Sequence, residues 1–151
     1  MIVYHLDKWK YREVWPPEGT LHGDGRWNKK GQWIIYTSPA ISLAKLEILA
    51  NEGALPIKRI CMSIEIDDSV PLYDMPLKYL PEDWFKKPYP ASLSSLLKQH
   101  LLDAGRLLIR VPSAQSHSEF NYLINVRHPD FYKSIKLISV KPEPFDPRLK
   151  S

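Results

Sequence analysis

The chain has 151 residues, of which 44% are hydrophobic, so it is long enough for one domain with a buried core and short for two. Its 21 basic and 17 acidic residues give a net charge of +4 without any block of lysines or arginines, and we expect no direct binding to nucleic acid. A single cysteine excludes a disulfide within the chain.

The N-terminal sequence MIVYHLDKWK lacks the basic-then-apolar order of a signal peptide. No stretch reaches the roughly 18 apolar residues of a membrane span. We therefore expect a cytoplasmic protein that does not enter a membrane. Fourteen prolines are scattered along the chain instead of forming one linker, so we expect them to separate elements within a single domain, residues 1–151.

The first half of the chain alternates strand and helix signals. Segments rich in β-branched and aromatic residues predict strands at residues 1–6, 33–38, 57–66 and 70–73. Ser38 and Pro39 predict the N-cap and the first helical position of a helix that continues to Gly53.

The second half begins with a proline-rich and aromatic segment, residues 75–90, for which we expect a loop with at most one helical turn. An amphipathic helix is predicted over residues 91–105, and Gly105 ends it. Three apolar segments predict further strands: residues 106–112, 120–126 and 134–140. No regular strand–helix–strand series emerges, so this order predicts an α+β fold with a mixed or antiparallel sheet.

The stretch GDGRWNKKGQWIIYTS, residues 23–38, places three of the six glycines around Arg26. It only approximates a dinucleotide-binding fingerprint, because Asn28 stands at the third position and a turn and a strand follow instead of a helix. The glycines predict a backbone that approaches another group closely or adopts a positive φ. Arg26 then either forms a surface ion pair in a turn or holds an anionic group.

Helical periodicity places Glu47 on the inward side of the first predicted helix, opposite Lys45 and Glu52. A carboxylate among apolar neighbours must be paired, hydrogen-bonded or protonated, since an isolated buried charge is too costly. Two interpretations follow. Glu47 forms a buried salt bridge, with Arg26 as the candidate partner, or the two residues line one cleft.

Polar residues follow the strand predicted at 106–112, among them Ser113, Asn121 and Asn125. Such residues either form the wall of a site or satisfy loop backbone through local turns. The five histidines and the single cysteine show no metal-ligand spacing, so we predict no metal.

The motifs GRWNKKGQWIIYTS, LAKLE, VPSA, NYLIN, RHPDF and FDPRL follow one another along nearly the whole chain. In this order they resemble the RES domain, the toxin component of the Res–Xre type of bacterial toxin–antitoxin pair. The resemblance implies a fold similar to diphtheria-toxin-type ADP-ribosyltransferases. It also implies a toxin that degrades NAD⁺ by hydrolysis or phosphorolysis of the nicotinamide–ribose bond and so arrests growth.

The resemblance also implies the site residues. Glu47, Arg26 and Tyr36 are the expected catalytic residues, in which Glu47 stabilises the ribose cation, Arg26 clamps the diphosphate and Tyr36 packs against the nicotinamide or its ribose. Ser113 and Asn121 are expected to hydrogen-bond the ribose or the carboxamide of NAD⁺.

One position departs from the family pattern. His5 stands on the first strand where many relatives have an arginine. If that arginine binds phosphate in relatives, a histidine would do so weakly near neutral pH.

Two alternative activities remain open: an ADP-ribosyltransferase that modifies a protein target, and an RNA-binding or ribonuclease toxin suggested by the basic balance and the 17 aromatic residues. By family analogy, the partner is an Xre helix-turn-helix antitoxin that covers the cleft. The sequence leaves open whether the chain also forms a homodimer.

Overall fold

The computed structural model describes residues 1–150, and in these residues seven strands form two sheets. The strands are β1 (Ile2–Lys8), β2 (Ile34–Thr37), β3 (Arg59–Ile66), β4 (Tyr73–Asp74), β5 (Leu108–Pro112), β6 (Phe120–Asn125) and β7 (Ile135–Pro142). One sheet has the order β1-β3-β7 and is antiparallel; the other has the order β2-β6-β5-β4, in which β4 and β5 are parallel. The predicted α+β fold with mixed sheets is confirmed.

Helices connect the strands. They are α1 (Gly19–His22), α2 (Ile41–Asn51), α3 (Ser92–Leu97), which continues as a π-helical segment (Lys98–Leu102), and α4 (Phe131–Ser134). The segment predicted to hold at most one helical turn contains a 3₁₀ turn, Leu77–Tyr79. Gly105 follows the π-helical segment with a φ of +65°, the left-handed conformation that glycine adopts without strain.

The two sheets pack face to face, and their apolar sequences follow from that arrangement. Successive residues of a strand point to opposite faces, so a strand that is covered on both sides reads as a continuous apolar run. Leu108 of β5 faces the core between the sheets, which also contains Ile64. Ile109, the next residue, faces the layer formed by α3, where it belongs to the same cluster as Leu97.

The start predicted for the helix after Ser38, which is α2 of the structure, is wrong. α2 begins at Ile41, and its N-cap is Ala40, which has an extended conformation and no side-chain capping bond. Ser38 instead pairs with the backbone of Tyr4 through two hydrogen bonds of 2.8 and 2.9 Å. This bridge joins β1 to the end of β2. Because Ser38 takes part in this contact between the two sheets, it does not cap the helix as the local sequence predicted. The side chain of Ser38 is consequently free for another partner.

In the described part of the chain, we find no helix whose length and apolar character would let it cross a bilayer.

Candidate active site

A cavity of about 290 Å³ opens between α2, the middle of β1, the end of β2 and the start of β6. Four of the five predicted site residues line it: Arg26, Tyr36, Glu47 and Asn121. They come from the turn after α1, from β2, from α2 and from β6. Ser113, the fifth, is completely buried and is absent from the cavity wall.

Helical spacing explains the contribution of α2 to the cavity. Ala44, Glu47, Ile48 and Asn51 all line it, at positions i, i+3, i+4 and i+7 of the helix, which form one face. Glu52 also lines the cavity, although periodicity had placed it opposite Glu47. The reason is that the helix ends at Asn51, so the helical spacing does not extend to Glu52.

The carboxylate of Glu47 is held through one of its two oxygens. Its Oε1 accepts a hydrogen bond of 2.6 Å from Ser113 Oγ and one of 2.8 Å from Asn121 Nδ2. Within residues 1–150, Oε2 accepts no hydrogen bond. Charge-assisted hydrogen bonds of this kind offset the cost of placing a carboxylate in a half-buried position. One oxygen is therefore fixed by the protein, and the other is available to a ligand.

Ser113 fixes the direction of its own proton. Its Oγ accepts hydrogen bonds of 3.1 Å from the backbone N–H groups of Gln115 and Ser116. Because a hydroxyl has one proton, that proton goes to Glu47. The hydrogen bond that we expected from Ser113 to a ribose or a carboxamide does not fit this geometry. Ser113 lies behind Glu47 and orients it.

Asn121 joins Glu47 to the strand bridge. Its Oδ1 accepts a hydrogen bond of 2.7 Å from Ser38 Oγ, while its Nδ2 donates to Glu47. Because an ionised carboxylate only accepts, the amide turns its Nδ2 towards Glu47, and the Ser38 hydroxyl then donates to the amide oxygen. Sequence reasoning missed Ser38 as a member of this network, because its Ser–Pro context indicated a helix start.

Arg26 is anchored by main-chain oxygens instead of by a carboxylate. Its Nη1 donates to the carbonyl of Trp84 at 2.8 Å and to that of Lys86 at 3.0 Å. The guanidinium carbon lies 4.7 Å from the centre of the Tyr89 ring, a cation–π distance. No ion pair between Arg26 and Glu47 is present among residues 1–150. The geometry therefore agrees with the second interpretation, in which the two residues line one cleft. Partial burial lowers the pKa of Arg26 from its ordinary value. That ordinary value is so high that the guanidinium keeps its positive charge.

Tyr36 supports the turn that carries Arg26. Its hydroxyl donates to Asn28 Oδ1 at 2.7 Å and accepts from the Trp27 backbone N–H at 3.0 Å. Burial raises the pKa of Tyr36 well above its ordinary value, so the phenol stays neutral. Asn28 is completely buried, and sequence analysis had not assigned it this role.

The glycines of this turn meet two different requirements. A Cβ on Gly25 would lie 2.6 Å from Asn28 Oδ1 and 2.7 Å from the Tyr36 hydroxyl, so only glycine fits between them. Gly31 has a φ of +95°, which side-chain-bearing residues rarely adopt. The predicted close approach and the predicted positive φ are thus both present, at separate positions.

His5 lines the cavity but has no nitrogen available for a ligand. Its Nδ1 lies 2.8 Å from the Tyr36 carbonyl oxygen and its Nε2 lies 3.2 Å from Asp7 Oδ2. Burial alone would raise the pKa of Asp7, but the hydrogen bond and the charge of His5 hold that pKa below its ordinary value. His5, which stands where many relatives have an arginine, therefore stabilises β2.

Asn125 satisfies loop backbone, the second of the two roles considered for it. It donates to the Arg106 carbonyl and accepts from the Arg127 N–H. Across residues 1–150, no three His, Cys, Asp or Glu side chains come together in a way that could hold a metal ion.

Comparison with known proteins places this geometry in a family context. The RES domain family model matches residues 2–147. A protein named Toxin Res from Yersinia enterocolitica is 31% identical over 153 residues, which cover 99% of this chain and 100% of that protein. The Prs ADP-ribosylating toxin of Sphingobium sp. is 35% identical over 130 residues, 83% of this chain and 80% of the relative.

The fold also has a solved counterpart. A chain in the crystal structure of the M. tuberculosis MbcT–MbcA toxin–antitoxin complex superposes with a TM-score of 0.73 at 15% sequence identity. The match covers 98% of this chain and 85% of that one. At this identity the similarity concerns the fold.

Proposed function

The chain belongs to the RES domain family, as its motifs predicted, and from this membership we propose that it is the toxin of a toxin–antitoxin system and degrades NAD⁺. The proposed reaction breaks the bond between nicotinamide and ribose and transfers the ADP-ribosyl group to water or phosphate. Loss of NAD⁺ from the cytoplasm would then arrest growth. We further propose that residues 1–151 act as one domain.

The observation that carries the proposal is the carboxylate of Glu47, held at Oε1 by two donors and open to a ligand at Oε2. Cleavage of an N-glycosidic bond passes through a ribose with oxocarbenium character, and fixed negative charge lowers the energy of that state. Oε2 would contact a ribose hydroxyl or face the developing cation. Nicotinamide leaves as a neutral molecule from a cationic ring, so the site needs no strong general acid.

The other residues of the cavity fit the remaining parts of NAD⁺. Arg26 keeps its charge, and its Nε and Nη2 donate to no acceptor within residues 1–150, so they are available to the diphosphate. Tyr36 would pack against the nicotinamide or its ribose. Asn121 lines the cavity and also donates a hydrogen bond to Glu47, whereas Ser113 acts through Glu47 as a positioning residue.

The size of the cavity limits how much of NAD⁺ it holds, and Glu47 in its wall favours the half that carries the reacting bond. At about 290 Å³ it lies near the lower end of ligand cavities, which span roughly 300 to 1,000 Å³. The nicotinamide and its ribose would occupy it, and the adenosine half would extend outside.

Product analysis tests the proposal. Purified protein is incubated with NAD⁺ in buffer with and without inorganic phosphate, and the products are separated by chromatography. We expect free nicotinamide in both cases, with ADP-ribose as the product of hydrolysis and a phosphorylated ADP-ribose as the product of phosphorolysis. Absence of nicotinamide release under both conditions would refute the proposed activity.

Transfer of ADP-ribose to a protein is a second candidate, which the name of the Sphingobium relative favours. NAD⁺ labelled in its adenine, incubated with cell lysate, separates the two reactions. Label retained on protein supports transfer, and label in free ADP-ribose supports hydrolysis.

The proposed partner is an antitoxin protein of the Xre type that covers the cavity. Membership of the family and the toxin–antitoxin complex formed by the structural neighbour support this proposal. Co-expression with a neighbouring gene product, followed by co-purification and an NAD⁺ assay, tests it. We expect the complex to release less nicotinamide than the free chain.

A further inference from the structure

The aromatic segment at residues 84–89 is tied to the cavity at both ends. Near its start, Arg26 donates to the carbonyls of Trp84 and Lys86. At its end, Tyr89 lines the cavity, and its hydroxyl donates to Asn51 Oδ1, at the last turn of α2, with a distance of 3.1 Å. The segment therefore runs along the mouth of the cavity and contacts the proposed phosphate-binding arginine.

Three rings form a supported surface beside this mouth. Phe85 lies 5.9 Å from Trp84 and 4.8 Å from His117, and His117 lies 5.5 Å from Trp84, measured between ring centres. Trp84 packs against the core and forms the base, whereas Phe85 is 37% exposed and His117 is exposed. His117 belongs to the loop after β5, in which Ala114 also lines the cavity.

We propose that Phe85 and His117, supported by Trp84, bind the adenine of NAD⁺ outside the cavity. This inference rests on the proposed function. The cavity has room for about half of the dinucleotide, and the proposed role of Glu47 assigns the nicotinamide half to it. Arg26 contacts the segment that carries Phe85, so the arginine and the rings follow the order of diphosphate and adenine in the dinucleotide. Adenine is flat and aromatic, and bases stack on such rings favourably.

Binding of AMP, which carries the adenosine half without a scissile nicotinamide bond, tests the inference independently of turnover. Isothermal titration calorimetry compares the wild-type chain with Phe85→Ala, Phe85→Leu and Phe85→Tyr. We expect AMP affinity to fall about tenfold in the Ala and Leu variants and to be retained in the Tyr variant, because stacking requires the flat ring. Phe85→Leu keeps an apolar side chain of similar size, so its thermal stability should stay close to that of the wild type.

The matched control is Tyr132→Ala, which removes a 64% exposed aromatic ring from α4 and should leave AMP affinity unchanged. Steady-state kinetics give a second readout: Phe85→Ala should raise KM for NAD⁺ about tenfold while kcat stays the same, since the reacting bond lies in the cavity. Equal AMP affinity in all variants would overturn the inference, even if the wild-type chain releases nicotinamide. Weaker AMP binding in Phe85→Ala than in a wild-type chain that itself releases no nicotinamide would support the adenine site and refute the proposed activity instead.

Discussion

The cavity has two walls that are built differently. The carboxylate wall consists of Glu47 and Asn121, with Ser113 buried behind it, and is held by hydrogen bonds between side chains on α2 and β6 and beyond β5. The arginine wall consists of Arg26 and Tyr89, and Arg26 is held there by main-chain carbonyls of a loop and by the tyrosine ring. A group that meets a developing charge needs fixed geometry, whereas a phosphate contact tolerates adjustment. From this contrast we propose that the first wall carries the chemistry of the proposed reaction and the second wall contributes affinity for NAD⁺.

The largest effect is expected from Glu47→Gln. Glutamine keeps the Oε1 acceptor for Ser113 and Asn121 but has no negative charge, so we expect kcat for nicotinamide release to fall about 10²- to 10³-fold while NAD⁺ binding persists. Nicotinamide release is measured by chromatography, and circular dichroism verifies the fold. Undiminished turnover in the folded variant would remove Glu47 from the mechanism.

Arg26→Lys tests the second wall. Lysine lacks the planar fork that would contact two carbonyls and a diphosphate together, so we expect KM for NAD⁺ to rise roughly 10- to 50-fold with little change in kcat. The control is Arg148→Lys, at an 89% exposed position outside the cavity wall. A fall in kcat at unchanged KM would assign Arg26 to the chemistry and break the proposed division between the walls.

Ser113→Ala sharpens the comparison within the carboxylate wall. The change deprives Glu47 of one donor and two backbone N–H groups of their acceptor. We expect kcat to fall about tenfold at constant KM, and the free energy of unfolding to fall by about 1 to 3 kcal/mol. Ser116→Ala is the matched control, because the Ser116 hydroxyl bonds to Glu119 on the same loop. Equal kinetic losses in both variants would indicate a loop effect instead of orientation of Glu47.

Helical spacing correctly predicted the inward position of Glu47, since that property depends on neighbouring residues alone. The positions of Ser38 and Ser113 could not be predicted in the same way. Ser38 bonds to Asn121, 83 residues away, and Ser113 bonds to Glu47, 66 residues away, so their roles depend on how the two sheets join. The local Ser–Pro pattern therefore predicted Ser38 as a helix N-cap.

The contacts of the arginine wall could not be predicted from the sequence either. The motif resemblance predicted Arg26 as a site residue, but nothing in the sequence connects it to a loop 58 residues later. Proline and aromatic content predicted that loop as irregular, which is correct for most of residues 75–90. The contacts of an irregular segment follow from the surfaces around it, so periodicity cannot supply them.

The smallest effect concerns Tyr36 and pH. Because burial raises its pKa, the contribution of the neutral phenol to stability is complete below its ordinary pKa of about 10 and is lost as the pH rises towards the folded-state value. Above pH 10, the free energy of unfolding of the wild-type chain should fall up to about 1.4 kcal/mol per pH unit more steeply than that of Tyr36→Phe. Urea unfolding at several pH values gives both slopes, and parallel slopes would contradict the burial argument.

Gly25 has a consequence for any survey of variants that escape the proposed growth arrest. A side chain there would collide with Asn28 and Tyr36, so every substitution displaces the support of Arg26. Position 25 should therefore appear as intolerant as Glu47 in a mutational scan of toxicity, although glycine offers no group for catalysis. Protein abundance measured in the same scan would separate the two: Glu47 variants should accumulate normally, and variants at position 25 should be depleted.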